Sequence, residues 1–171
     1  MTKAEGYSLW LMPTDDVYRQ LSETISQLSS KYSAPYFEPH VTLLGELLES
    51  EEEMLSKTEQ LAGLIKPFTI KLTHVDYLDQ YFRCLFLRAD ETNDLINANN
   101  KAREVFNRGQ DSTFMPHLSL MYGDFTPKIK QQIIGDVGRD FDISFEVGNI
   151  RFCLTDGEPK DWYRVQEFAL K

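Results

Sequence analysis

Apolar positions along this chain switch between two periods. Tyr7 to Met12 is a short apolar run that reads as a strand. Val17, Leu21, Ile25 and Leu28 then recur at helical spacing. Thr14 precedes them as a cap, and Asp15 and Asp16 fall in the first turn, where carboxylates suit the helix dipole. A proline-bearing loop, residues 33–39, leads into the run Val41-Thr42-Leu43-Leu44. Ser50 with Glu53 forms a capping box for a second helix through Met54, Leu55, Leu61 and Ile65, closed by Pro67. Phe68 to Val75 alternates as a half-buried strand does.

The order then restarts. Phe82 to Arg88 reads as a strand, and Thr92 to Asn107 as a helix with Leu95, Ala98, Ala102 and Phe106 on one face. A second β-like run follows at Leu118 to Met121. Thr126-Pro127 opens a further helix with Ile129, Ile133 and Val137. Three strands end the chain at 141–147, 149–155 and 162–170, with turns at Gly148 and Asp156-Gly157. No linker, low-complexity stretch or charge block interrupts the 171 residues. We expect one domain over 1–171 made of two pseudo-symmetric halves, roughly 1–78 and 79–171, with strands able to exchange between them.

The repetition extends to chemistry. Pro39-His40-Val41-Thr42-Leu43-Leu44-Gly45 returns as Pro116-His117-Leu118-Ser119-Leu120-Met121-Tyr122-Gly123. Side chains in a strand alternate faces, so His40 and Thr42 share a face, as do His117 and Ser119. One histidine in a strand is usually structural. Core packing, however, has no need to repeat a titratable residue in two half-polar strands. His74, the third histidine, is the control. It lacks a hydroxyl residue two positions on and has no matching copy, so it reads as structural. Two imidazoles in one cleft act as acid and base near neutral pH, and two hydroxyls bind the non-bridging oxygens of a phosphoester.

Competing chemistries find less support. Neither histidine has Cys, Asp or Glu at zinc-site spacing, so no metal or other cofactor is expected. P-loop, dinucleotide and nucleophile-elbow motifs are missing. The composition, 42% hydrophobic and 26% charged, is that of an ordinary globular chain. The net charge of −9 argues against long nucleic acid, whose phosphates demand a basic surface. No run approaches a membrane span, and Tyr7 to Met12 is too short for a signal-peptide core. We expect a cytoplasmic or nuclear monomer acting on a small substrate. Cys84 and Cys153 lie in strand-like runs and read as buried hydrophobes.

With both His-x-(Thr/Ser) copies in place, the chain resembles the 2H phosphoesterase superfamily, and most of all the eukaryotic-type cyclic phosphodiesterases. The resemblance covers nearly the whole length. Its most specific strings are Phe37-Glu38-Pro39-His40-Val41-Thr42 and Pro116 to Gly123, with Tyr7 to Pro13 in support. It implies a bilobal α+β fold with an antiparallel sheet in each lobe facing a central cleft, and helices outside. It also implies metal-independent opening of 2′,3′-cyclic nucleotides to 2′-phosphates, and of ADP-ribose 1″,2″-cyclic phosphate to the 1″-phosphate, after tRNA splicing. His40 and His117 then form the acid–base pair, with His117 as base and His40 as acid. Thr42, Ser119 and Tyr122 contact phosphate, and Trp10 and Phe82 lie near the nucleotide. Strict alternation sets Tyr122 opposite His117, so its role requires a bend or bulge near Gly123. The alternatives are RNA 2′,5′-ligation or RNA-end processing by a related 2H enzyme, and a nucleotide-binding module without catalysis.

Overall fold

A computed structural model describes residues 3–171. Eight strands and four α-helices follow in chain order: β1 (Tyr7–Leu11), α1 (Asp15–Tyr32), β2 (Val41–Leu47), α2 (Glu51–Ala62), β3 (Phe68–Asp76), β4 (Leu85–Ala89), α3 (Asn93–Val105), β5 (His117–Met121), α4 (Pro127–Val137), β6 (Asp140–Val147), β7 (Asn149–Leu154) and β8 (Tyr163–Ala169). The class is α+β. The helix starts follow the predicted chemistry: the hydroxyls of Ser50, Thr92 and Thr126 each accept a hydrogen bond from the backbone N–H three residues on. Thr14 occupies the corresponding place before α1 without a side-chain capping bond.

Two boundaries differ: α2 ends at Ala62, short of the expected Ile65, and β4 starts late. Phe82 to Arg88 does not form a single strand. Tyr81–Arg83 is a turn of 3₁₀ helix, and β4 starts only at Leu85. That tight turn brings the Phe82 main chain against Ser119, whose hydroxyl donates to the Phe82 carbonyl at 3.4 Å.

All strand pairs are antiparallel, and the order across the sheet is β6-β3-β4-β5-β2-β1-β7-β8. The expected sheet on each side of the cleft is present, but the two run into one curled sheet. They join where β2 meets β5, through a single register pair, Val41 with Leu118. The seam therefore falls at the two His-bearing segments. Strand β3, from the first half of the sequence, pairs with β4 and β6, while β7 and β8 extend the side holding β1 and β2.

The helices follow the same crossing. α1 links β1 to β2 yet packs on β5 and β6, and α3 links β4 to β5 yet packs on β2 and β3. Their apolar stripes drive this: Leu21, Ile25 and Leu28 of α1, and Leu95, Ala98 and Ala102 of α3, are all buried. A fully buried aliphatic side chain contributes roughly 1.5–3 kcal/mol, so these helices clamp the two sides together across the seam.

Candidate active site

His40 stands immediately before β2, and His117 is the first residue of β5. Both imidazoles are held alike. His40 Nδ1 lies 2.7 Å from the carbonyl of Glu38, and His117 Nδ1 lies 2.8 Å from that of Met115. A carbonyl only accepts, so in each ring Nδ1 carries the proton and donates. Nε2 is left free for chemistry.

Each ring also packs on an aromatic from the adjacent strand. Trp10 of β1 stacks on His40 with centroids 3.7 Å apart and planes 10° apart. Phe86 of β4 packs on His117 at 4.9 Å with a 59° tilt. In the register Trp10 opposes Thr42 and Phe86 opposes Ser119, so these aromatics occupy equivalent positions.

The required bulge is present, and it is present twice. In β5, Phe86 opposes Ser119 but the next pair is Leu85 with Met121, which leaves Leu120 as an extra residue. In β2, Trp10 opposes Thr42 but the next pair is Leu9 with Leu44, which leaves Leu43 as the extra residue. One extra residue reverses the alternation. Tyr122 therefore turns to the face of His117 and Ser119, and all three line the cleft. Counting from each histidine, Gly45 is the first-half counterpart of Tyr122. One side of the cleft thus carries a phenol where the other carries only backbone. The Leu43 carbonyl at the bulge accepts from the buried Asn99 side chain of α3 at 2.9 Å.

The resulting cleft has a volume of about 450 Å³, and His40, Thr42, His117, Ser119, Tyr122, Trp10 and Phe82 all line it. His74 does not; it lies on β3 with its Nδ1 3.1 Å from the Thr73 hydroxyl. Sequence reasoning missed two contributors. Trp162, just before β8, completes an aromatic wall with Phe82, Tyr122 and Trp10, at centroid distances of 5.9, 6.0 and 6.1 Å. Its only sequence signal was an aromatic soon after the Asp156-Gly157 turn. The other is Arg83. Nearby guanidiniums are committed: Arg88 to Asp76, Arg108 to Asp111, Arg151 to Glu38 and Glu167, and Arg103 to the main-chain carbonyls of Asp111 and Ser112. Arg83 lines the cleft half-buried and has no such partner among the described residues.

Burial sets the resting charge. Loss of solvent pushes the His40 imidazole down to about 4, the Glu38 carbonyl opposes this, and His117 and Arg151 add to it. His117 is also lowered, first by burial and then by Arg83 and Arg88, against the pull of the Met115 carbonyl. Burial thus favours the neutral form of both rings. The Tyr122 phenol is raised by burial, with Ser119 within hydrogen-bonding reach, and it stays protonated as a donor. Among the described residues no three His, Cys, Asp or Glu are grouped so as to hold a metal ion.

A family model described as cyclic phosphodiesterase-like protein matches residues 5–168. The chain belongs to the cyclic phosphodiesterase-like family. This places it among the 2H phosphoesterases, as a hydrolase of cyclic phosphodiesters. A cyclic phosphodiesterase of Arabidopsis thaliana is 27% identical over 162 residues, covering 92% of this chain and 90% of the plant protein. A 2′,3′-cyclic-nucleotide 3′-phosphodiesterase of Yarrowia lipolytica is 29% identical over 109 residues, 59% of this chain and 50% of the yeast protein. Among solved structures, TT0787 of Thermus thermophilus superposes with a TM-score of 0.69 at 19% identity, covering 96% of this chain and 97% of that one. E. coli LigT complexed with 3′-AMP superposes with a TM-score of 0.65 at 16% identity, covering 98% and 99%. At such identities the superpositions establish the fold.

Proposed function

We propose that this cyclic phosphodiesterase opens 2′,3′-cyclic nucleotides to 2′-phosphates, ADP-ribose 1″,2″-cyclic phosphate to the 1″-phosphate, or both, by two-histidine acid–base catalysis. The observation that carries the reading is the pair of equivalent imidazoles in one cleft. Each donates Nδ1–H to the main chain, and each has a hydroxyl two residues on.

The cyclic phosphate sits between the two Nε2 atoms. His117 takes a proton from water as the oxygen attacks phosphorus. His40 gives a proton to the departing ribose oxygen as its bond to phosphorus breaks. Thr42, Ser119 and Tyr122 donate hydrogen bonds to the non-bridging oxygens, and Arg83 supplies positive charge beside His117. Trp10, Phe82 and Trp162 offer apolar faces to the nucleoside. The acid role suits His40 on two counts. A phosphodiester anion and the stacked face of Trp10 both favour its imidazolium. Once charged, an imidazole of low pKa is a strong acid towards the leaving oxygen.

The test is turnover of a 2′,3′-cyclic nucleotide with identification of the product. A 2′-phosphate and a bell-shaped pH dependence of kcat/KM are expected. A 3′-phosphate, or a profile with one limb only, would overturn the reading. A substrate with a highly acidic leaving group should rescue His40→Ala and not His117→Ala; the reverse result exchanges the two roles.

A further inference from the structure

His40 and His117 are equivalent in sequence, in their Nδ1 bonds and in their aromatic partners. Their surroundings are not equivalent. Glu38, whose carbonyl accepts from His40, also presents a half-buried carboxylate tied to two other elements. Tyr18 of α1 donates its phenol to Glu38 Oε1 at 2.7 Å, and Arg151 of β7 donates to Oε2 at 3.0 Å. Arg151 in turn pairs through Nε with Glu167 of β8 at 2.9 Å. The strand register builds this row: Thr42 opposes Trp10, Trp10 opposes Arg151, and Arg151 opposes Glu167.

The other half lacks this network. Met115 takes the place of Glu38 and has no carboxylate. The residue opposite Phe86 is Asp76, where the first half has Arg151, and Asp76 is bound to Arg88 at 2.7 Å. The Phe37-Glu38-Pro39 string, which the acid–base scheme leaves unused, thus has a structural partner of opposite charge on β7.

We infer that Glu38, Arg151 and Tyr18 are positioning residues that fix the His40 imidazole against Trp10, a support that the repeated His117 does not share. The inference rests on His40 acting in the proposed reaction. The Glu38 carbonyl sits where its carboxylate is anchored, and the imidazole hangs from that carbonyl. Losing the anchor lets the ring drift from the aligned geometry that proton transfer requires. The charges acting on His40 are His117 from β5 and Arg151 from β7, and the Glu38 carboxylate works through Arg151; Trp10 contributes an uncharged face.

The experiment combines kinetics with NMR titration of the His40 ring in Glu38→Gln, Arg151→Met, Arg151→Lys and Tyr18→Phe. Glu38→Gln removes one of the two counter-charges of Arg151 and leaves only Glu167, so His40 should titrate at lower pH than in the wild type. Arg151→Met removes the cation, so His40 should titrate at higher pH. Both should lower kcat on the order of tenfold with KM little changed. The double variant should be no worse than the poorer single one. Arg151→Lys keeps the charge and should hold the wild-type titration, while kcat falls because an ammonium does not reproduce the fixed geometry by which Nε and Nη1 hold Glu167 and Glu38. Tyr18→Phe, the mildest change, should lower kcat less; it decides the matter with Glu38→Gln if Arg151→Met does not fold. Variants that lose stability alike while kcat and the His40 titration stay at wild-type values would overturn the inference. If the wild type opens no cyclic phosphate, the reaction assignment fails, and opposite shifts of the His40 titration still decide the network.

Discussion

Each imidazole has one nitrogen committed to the main chain and one facing the cleft. That arrangement makes substitution costly in function. His40→Ala and His117→Ala should each remove most turnover, and the double variant should be little worse than either, because groups that act as a unit are non-additive. His74→Ala should retain turnover. Steady-state rates on a cyclic nucleotide check all four. The pH dependence of stability follows from the same burial. The folded pKa of His40 is depressed to about 4 from an ordinary 6.5, so the folded state resists the proton that the unfolded state accepts. This contribution is fully present above pH 6.5 and is lost as pH falls towards 4, by roughly 3 kcal/mol in all. Urea unfolding of wild type and His40→Gln across that window should show a steeper acid loss in the wild type. His74 and the two motif histidines were separable in the sequence because the hydroxyl two residues on marked the pair. Arg83 was not legible, because its uncommitted charge depends on which arginines find carboxylates.

The decisive element-scale feature is the duplicated bulge, at Leu43 in β2 and Leu120 in β5. A bulge frees a backbone group from the ladder, and a buried carbonyl left without a donor is costly. Asn99 meets that need for Leu43. Asn99→Leu should therefore destabilise the protein by about 1–3 kcal/mol. Turnover should also fall, since the bulge aims the segment after Thr42. A shift in urea midpoint together with kcat checks this. An unchanged midpoint would remove Asn99 from the account. The helix starts, by contrast, were readable almost to the residue, because Ser50, Thr92 and Thr126 carry local capping chemistry. The predicted strand at Phe82 was lengthened by its apolar composition. Periodicity does not distinguish a 3₁₀ turn of buried aromatics from a strand.

For the whole molecule, the seam between β2 and β5 is where the repeats meet, and the clamping helices close it from both sides. In the proposed scheme the chemistry assembled there uses only side chains of this chain. Activity should survive EDTA and exhaustive dialysis, as an assay before and after chelation will show; loss restored by Zn²⁺ would replace the acid–base scheme. Cys84 and Cys153 are both free and fully buried. Burial raises both thiols, Cys153 to about 12. The native protein should accordingly resist thiol reagents and keep full turnover, with labelling appearing only on unfolding. No helix is long and apolar enough to cross a membrane among the described residues.

The amino-acid sequence by itself determined the helices, the duplication, the two His-hydroxyl pairs and the family. All of these rest on short-range patterns that a chain carries whatever its final packing. Tertiary structure alone decided the rest. The exchange of β3, β7 and β8 between the sides, the strand register, and the turn of Tyr122 into the cleft depend on which strands pair. So do the aromatic wall at Trp162 and the bond from Arg151 to Glu38, residues far apart in the chain. Two copies of one motif are indistinguishable as text. They become different groups only when folding sets Arg151 beside one and Asp76 in the matching place beside the other.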